Sequence, residues 1–182
     1  MKSESRERFT PYLKIVSALC VSALVMSLFA LLYGFYERKV YRREYREYVE
    51  KYSAEYGVSE YTVYAVMKTE SNFSKDAVSK SGAIGLMQLM PETYLWLVER
   101  SGAEARDIYD PEENIKYGVY LLSILYERYG EDETVFAAYN AGIGNVDKWL
   151  AEDKYEIKFD ETKNYVNKIK IAQEKYKKLY YR

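Results

Sequence analysis

The chain has 182 residues, with 27 Lys and Arg against 28 Asp and Glu, a formal net charge of −1 and no histidine. That balance carries no basic footprint for nucleic acid, and the missing imidazole excludes Ser-His and Cys-His nucleophilic catalysis and any zinc site built on histidine. The one cysteine, Cys20, sits in an apolar run, so no intrachain disulfide can form. Carboxylates, hydroxyls, amides and lysines are the catalytic groups left. The 22 tyrosines offer broad contact area with a polar tip, which suits a sugar groove and a wet helix interface equally well.

Residues 1–14 form a short polar tail of mixed charge, followed by 22 residues without a charge, Ile15 to Tyr36. As a helix these span about 33 Å at ~1.5 Å per residue, enough for a hydrocarbon core of ~30 Å. No small-x-small cleavage site follows the run, and Cys20 is preceded by Leu19 rather than a small residue. Residues 15–36 therefore read as an uncleaved signal anchor, in preference to a cleaved or lipoprotein signal. Arg38, Lys39, Arg42 and Arg43 match or exceed the bases ahead of the span, so flanking charge leaves the orientation open. Tyr41, Tyr45, Tyr48, Tyr52 and Tyr56 recur at helical spacing. They predict a helical stalk over residues 37–56, closed by Gly57.

Ser59 is the expected N-cap of the next helix, on which Val63, Met67 and Glu70 share one face. An ionised carboxylate on an apolar face costs several kcal/mol unless it is paired or protonated. No Lys or Arg lies one turn before Glu70 on that face. The placement suits a carboxylic acid held protonated near neutral pH, the state a general acid requires. From this helix alone, a partly exposed glutamate near a frayed end explains the pattern as well.

Gly82 and Gly85 then permit a tight, irregular path. Pro91 opens a helix to about Ser101, with Gly102 beyond it. Met87, Leu89 and Met90 read by themselves as core, whereas the Gln88 amide, between apolar neighbours, needs hydrogen-bond partners. Asp110-Pro111-Glu112-Glu113 is a helix start with an N-cap, Pro at N1 and Glu at N3. That helix is expected to reach Tyr129, with Ile115, Val119, Leu122 and Tyr126 on its inner face. A shorter helix follows from about Glu133 to the small residues before Gly142. Asn145 is the expected cap of a brief helix over 146–150, and a last helix begins near Asp160 or Glu161. No strand alternation or internal repeat is present, so the expected fold class is all-α.

Four segments in this order resemble the family 1 lytic transglycosylases, whose domain is soluble-lytic-transglycosylase-like. They are Glu70-Ser71, Gly85-Leu-Met-Gln-Leu-Met-Pro91, Ala138-Tyr-Asn-Ala-Gly142 and Glu161-Thr-Lys-Asn-Tyr-Val166. The resemblance covers roughly residues 50 to 175. It implies a lysozyme-like helical domain over 57–182, with a substrate groove between helices. It also implies cleavage of the β-1,4 bond between N-acetylmuramic acid and N-acetylglucosamine in peptidoglycan, leaving a 1,6-anhydromuramic end. Most glycosidases need two carboxylates. A transglycosylase uses the substrate's own 6-hydroxyl as nucleophile, so one acid suffices and the ring closure gains from high effective molarity.

By this resemblance Glu70 is the catalytic acid and then the base. Ser79 and Gln88 look like groove residues that hydrogen-bond substrate, and Met87 and Met90 like groove lining. Tyr139 looks like the hydroxyl near the acid and the sugar, Asn140 like part of that wall, and Glu161 and Tyr165 like further groove residues. Lys163 stands where the family commonly has Arg. No metal or organic cofactor is implied. The implied partners are peptidoglycan strands and, through residues 15–36, the membrane, with the domain on the outer face. The alternatives are a hydrolytic muramidase on the same fold, with Asp76, Asp107 or Asp110 as second carboxylate, and a non-catalytic peptidoglycan-binding assembly factor.

Overall fold

The computed structural model describes residues 2–181, and side chains from Pro11 onward. Two units are distinguished, residues 1–42 and 43–182.

The first unit is one helix, α1 (Lys2–Val40), which continues back through Pro11 into the polar tail. Every described side chain from Pro11 to Tyr33 is exposed, including Leu24, Phe29 and Leu32. Exposed apolar surface on this scale, continuous around a helix, has no counterpart on a water-soluble helix, which hides at least one stripe. The helix is long and apolar enough to cross a membrane.

The second unit contains α2 (Arg46–Tyr56), α3 (Glu60–Glu70), α4 (Pro91–Ser101), α5 (Pro111–Tyr129), α6 (Asp132–Ala141), α7 (Ile143–Leu150) and α8 (Asp160–Tyr180). Among the described residues there is no strand, only isolated bridges in the loop before α4. The all-α expectation holds. The single helix expected over 37–56 does not: α1 stops at Val40, and Tyr45 takes a left-handed conformation with φ 56° before α2 begins. Periodic tyrosines continued across a backbone break because spacing alone does not register one reversed residue. α2 packs on α5 and α3 through the buried Val49 and Tyr52, and Tyr56 stacks on Tyr120 with ring centroids 5.0 Å apart.

The core forms where α3 lies against α8 and α6 is packed between α5 and α8. Val63, Tyr64, Val66 and Met67 of α3, Ile115 and Leu122 of α5, Phe136 of α6, and Ile169 and Tyr176 of α8 are fully buried. The strongest local signals act as chemistry requires. The Asp110 carboxylate accepts the Glu113 N–H at 3.1 Å, and Pro111 occupies the first turn of α5. Ser59 stands at the start of α3, but its hydroxyl meets the Thr62 hydroxyl at 2.7 Å rather than capping a backbone N–H. Asn145 is not a cap either. α7 begins two residues earlier, at Ile143, and the Asn145 amide donates to the Ala141 carbonyl at 2.7 Å.

Candidate active site

Glu70 is the last residue of α3, where the chain leaves the helix for the loop. The next residues fix that exit. The Ser71 hydroxyl donates to the Leu86 carbonyl at 2.8 Å, while Asn72 and Phe73 take left-handed backbone conformations, φ 49° and 68°. Consecutive non-glycine residues in this region are costly and persist only where surrounding packing holds them. Phe73 supplies that hold, being buried against Tyr64.

The loop from Ala77 to Met90 folds back over the end of α3. Ile84 and Leu89 exchange two backbone hydrogen bonds at 2.9 and 3.0 Å, and the Ser79 N–H reaches the Ala83 carbonyl at 2.9 Å. Gly85 has φ 82°, and a Cβ there would stand 2.4 Å from the Asn114 amide nitrogen. Asn114, on the buried face of α5, is the rivet of this loop. Its amide donates to the Ile84 and Ile108 carbonyls, both at 3.0 Å, and its oxygen accepts the Met87 N–H at 2.8 Å. Sequence reasoning passed over it. The available signal was a polar amide beside Ile115 in the second turn of an otherwise amphipathic helix.

Facing the end of α3, Tyr165 of α8 donates its hydroxyl to Glu70 Oε1 at 2.5 Å. Burial pushes the Glu70 carboxyl up from 4.5 to about 7, against the opposing pull of the Tyr165 hydrogen bond. No cation takes part in that balance. Its helical position acts in the same direction as burial, because the C-terminal end of a helix carries partial negative charge and disfavours a carboxylate. Burial and the neighbouring Glu70 charge hold both Tyr165 and Tyr139 well above the ordinary phenol value. Both therefore stay protonated and act as donors. The Tyr139 hydroxyl donates to the Met87 carbonyl at 2.7 Å, which joins α6 to the loop beside the acid.

Two cavities flank this centre. One is lined by Thr69, Asn140, Glu161, Asn164, Tyr165 and Lys168. The other, on the α4 and α5 side, includes Trp96, Leu121, Leu125, Tyr139 and Ile143. Trp96, 41% exposed, was not singled out from the sequence, where nothing separated it from the apolar stripe of α4.

The structure thus brings together Glu70, Tyr165, Tyr139, Asn140 and Glu161. Asn140 accepts a hydrogen bond from the Thr162 hydroxyl at 2.7 Å, leaving its amide nitrogen free to donate. One expectation needs correction. Met87 does not line an open groove: its side chain is fully buried, and a Cβ on Gly118 would come within 2.3 Å of its sulfur. Only its carbonyl serves the site. Gln88, half-buried with φ 50°, directs its amide N–H groups inward to the Ala77 and Gly85 carbonyls at 3.1 and 2.9 Å. Its oxygen is what remains for a ligand. Ser79 accepts the Ala83 N–H on its hydroxyl at 2.9 Å and so braces its own turn. Met90 is 38% exposed at the mouth of α4.

The candidate second carboxylates have other partners. Asp76 pairs with Lys75 at 3.0 Å, Asp107 accepts the Tyr109 N–H at 2.9 Å, and Asp110 caps α5. Among the described residues, no cluster of acids and cysteines is suited to holding a metal ion.

An all-α unit with a desolvated carboxyl group, Glu70, at the end of α3 fits the soluble-lytic-transglycosylase-like class of helical domains that the sequence resembles. Comparison with known proteins agrees. The family profile described as "Transglycosylase SLT domain" matches residues 47–161, and the chain belongs to that family. The membrane-bound lytic murein transglycosylases C of Yersinia pestis and Yersinia pseudotuberculosis are 38% identical to it, over 61% of this chain and 35% of theirs. The chain thus spans about a third of the length of these curated relatives. The 70 kDa soluble lytic transglycosylase of Escherichia coli superposes with a TM-score of 0.73 at 27% identity, over 78% of this chain and 25% of that one. An inactive glutamate-to-glutamine mutant of the lytic transglycosylase Slt from Pseudomonas aeruginosa superposes with a TM-score of 0.70 at 29% identity, over 76% and 25%.

Proposed function

We propose that the chain is a membrane-anchored lytic transglycosylase that cleaves the β-1,4 bond between N-acetylmuramic acid and N-acetylglucosamine and leaves a 1,6-anhydromuramic end. The observation that carries this reading is the Glu70 carboxyl, desolvated, free of any cation and raised to about 7. Near neutral pH it is available as an acid and, once it has given its proton away, as a base.

In the proposed reaction Glu70 donates its proton to the glycosidic oxygen as the C1–O bond breaks and positive charge develops on the muramic ring. The carboxylate so formed is stabilised by the Tyr165 hydroxyl at 2.5 Å. It then removes the proton from the substrate's 6-hydroxyl as that oxygen bonds to C1. The acid is restored and no water is consumed. The other duties of Asp76, Asp107 and Asp110 favour this outcome over hydrolysis, which needs a second carboxylate holding a water.

The remaining assignments belong to the same proposal. Tyr139, Asn140, Glu161 and the Gln88 oxygen contact the glycan. Ser79 and Met90 lie on its path, and the cavity at Trp96 offers an apolar wall for a sugar ring. Residues 15–36 anchor the chain once in the membrane. Residues 1–14 remain on the cytoplasmic side, and the enzyme domain lies outside, where peptidoglycan is found. The apolar surface of α1 and the description of the Yersinia relatives as membrane-bound support the anchor.

The test is mass spectrometry of isolated peptidoglycan digested with the detergent-solubilised full chain. Anhydro-ended muropeptides, one water lighter than hydrolysis products, are expected. Products carrying reducing muramic ends would overturn the lyase reading.

A further inference from the structure

The cavity on the α8 side of Glu70 holds Asn164 and Lys168, to which the glycan chemistry above gives no role, beside Glu161, whose charge a neutral glycan does not require. Glu161, Asn164 and Lys168 are exposed on one stripe of α8 that also carries the buried Tyr165. Their positions, i, i+3 and i+7, put them on a single face, and Tyr165 in that row grips Glu70. None of the three makes a side-chain hydrogen bond or ion pair with another described residue. Most neighbouring charges on this helix are paired: Lys163 with Glu156 at 3.3 Å, and Lys170 with Glu133 at 3.1 Å. Glu161 and Lys168 are seven residues apart, about 10 Å of helix rise, which is too far to neutralise each other. The cavity therefore presents an uncommitted cation at one end, an uncommitted acid at the other, and an amide between them.

An N-acetylated glycan strand has no charge to offer this row, because the muramic lactyl carboxyl is consumed in the amide bond to the stem peptide. The stem itself carries free carboxylates and, on its diamino residue, an ammonium group. From this juxtaposition we infer that Lys168 is a specificity-determining residue. It takes a carboxylate of the stem peptide beside the scissile bond, while Glu161 and Asn164 face the rest of the stem. The inference rests on the lytic-transglycosylase reading and deepens it, by making the enzyme sensitive to the charge state of the stem. Lys168 touches the stem and none of the reacting atoms, so its effect falls on binding.

The experiment compares the full-length wild type with Lys168→Met and Lys168→Glu. Three sets of strands serve as substrate: stems with free carboxylates, stems with those carboxylates amidated, and strands stripped of stems so that the lactyl carboxylate is exposed. The readout is anhydro-end formation, with KM and kcat resolved. Wild type should prefer free-carboxylate stems over amidated ones by about two- to fivefold in KM, as an exposed ion pair allows. Lys168→Met should abolish that preference and Lys168→Glu reverse it, with kcat little changed. Circular dichroism of both variants should match wild type, since Lys168 is exposed and has no side-chain partner to lose among the described residues. A preference that survives Lys168→Met, a loss equal on all three substrates, or a loss confined to stem-free strands would overturn the inference. Wild type that forms no anhydro ends on any substrate would instead overturn the reaction assignment beneath it.

Discussion

Glu70 and Glu113 each hold a tyrosine hydroxyl, and they are built for opposite ends. Glu113 stands at the third position of α5, 3% exposed, accepting the Tyr94 hydroxyl at 2.9 Å with the Arg106 guanidinium 3.8 Å away. The start of a helix welcomes negative charge, and the Asp110 cap and Pro111 secure the turn beneath it. Glu70 stands at the last position of α3, accepts the Tyr165 hydroxyl at 2.5 Å, and has no cation contributing to its balance. The end of a helix repels the same charge. Burial with one tyrosine is common to both acids. Helix polarity and a nearby arginine set apart the surroundings of Glu113 from those of Glu70, which keeps its proton near neutral pH.

The largest effect that can break this contrast is catalytic. Glu70→Gln should lower anhydro-end formation by about 10²- to 10⁴-fold, the usual range for a lost general acid, measured as muropeptide release at saturating substrate. Glu113→Gln should leave the residual rate of its folded fraction within a few-fold of wild type. A Glu70→Gln variant of ordinary activity would remove Glu70 from the chemistry.

Stability should divide the pair by sign. The folded value for Glu70, about 7, lies above its ordinary 4.5. Between those values the folded protein keeps a proton that the unfolded chain has lost. The stability contribution of Glu70 therefore falls as pH rises from 4.5 through 7, and the cost is complete above 7. Glu70→Gln should accordingly stabilise the domain at pH 8, by about 1 to 3 kcal/mol, and have little effect at pH 4. Glu113→Gln should destabilise it by about 1 kcal/mol, through the weakened contacts to Tyr94 and Arg106. Denaturant melts of both variants at the two pH values would read this out. Stabilisation by Glu70→Gln that does not depend on pH would contradict the desolvation account.

A smaller effect sharpens the role of the tyrosine. The Tyr165 hydrogen bond lowers the Glu70 value against burial, so Tyr165→Phe should move the alkaline limb of the kcat/KM profile upward, by about one pH unit or less. A downward shift would mean that the hydroxyl favours the protonated acid instead.

How legible all this was in the sequence depended on how local each cause is. The Asp110-Pro111 start, the Gly102 and Gly130 stops and the ends of α4 and α5 depend on contacts within a turn, and they stood where the residues indicated. The apolar face bearing Glu70 was legible too, but the absence of a cation and the presence of Tyr165, 95 positions away, are facts of tertiary packing. Met87 misled for the same reason: its neighbour Gly118 lies on another helix, and only the packed structure closes that space. Tyr45 hid a break behind an unbroken periodicity. Asn114 was hidden because an isolated amide in a helix gives no hint that two backbone groups of a distant loop, and the Ile108 carbonyl just ahead of its own helix, await it.

The central claim is that Glu70 is protonated near neutral pH because it is buried without a cation. The most direct test is a pH titration of its side-chain carboxyl by ¹³C NMR in the unliganded protein, with the resonance assigned by its loss in Glu70→Gln. The account predicts a midpoint near 7. A midpoint near the ordinary value of 4.5 would contradict it.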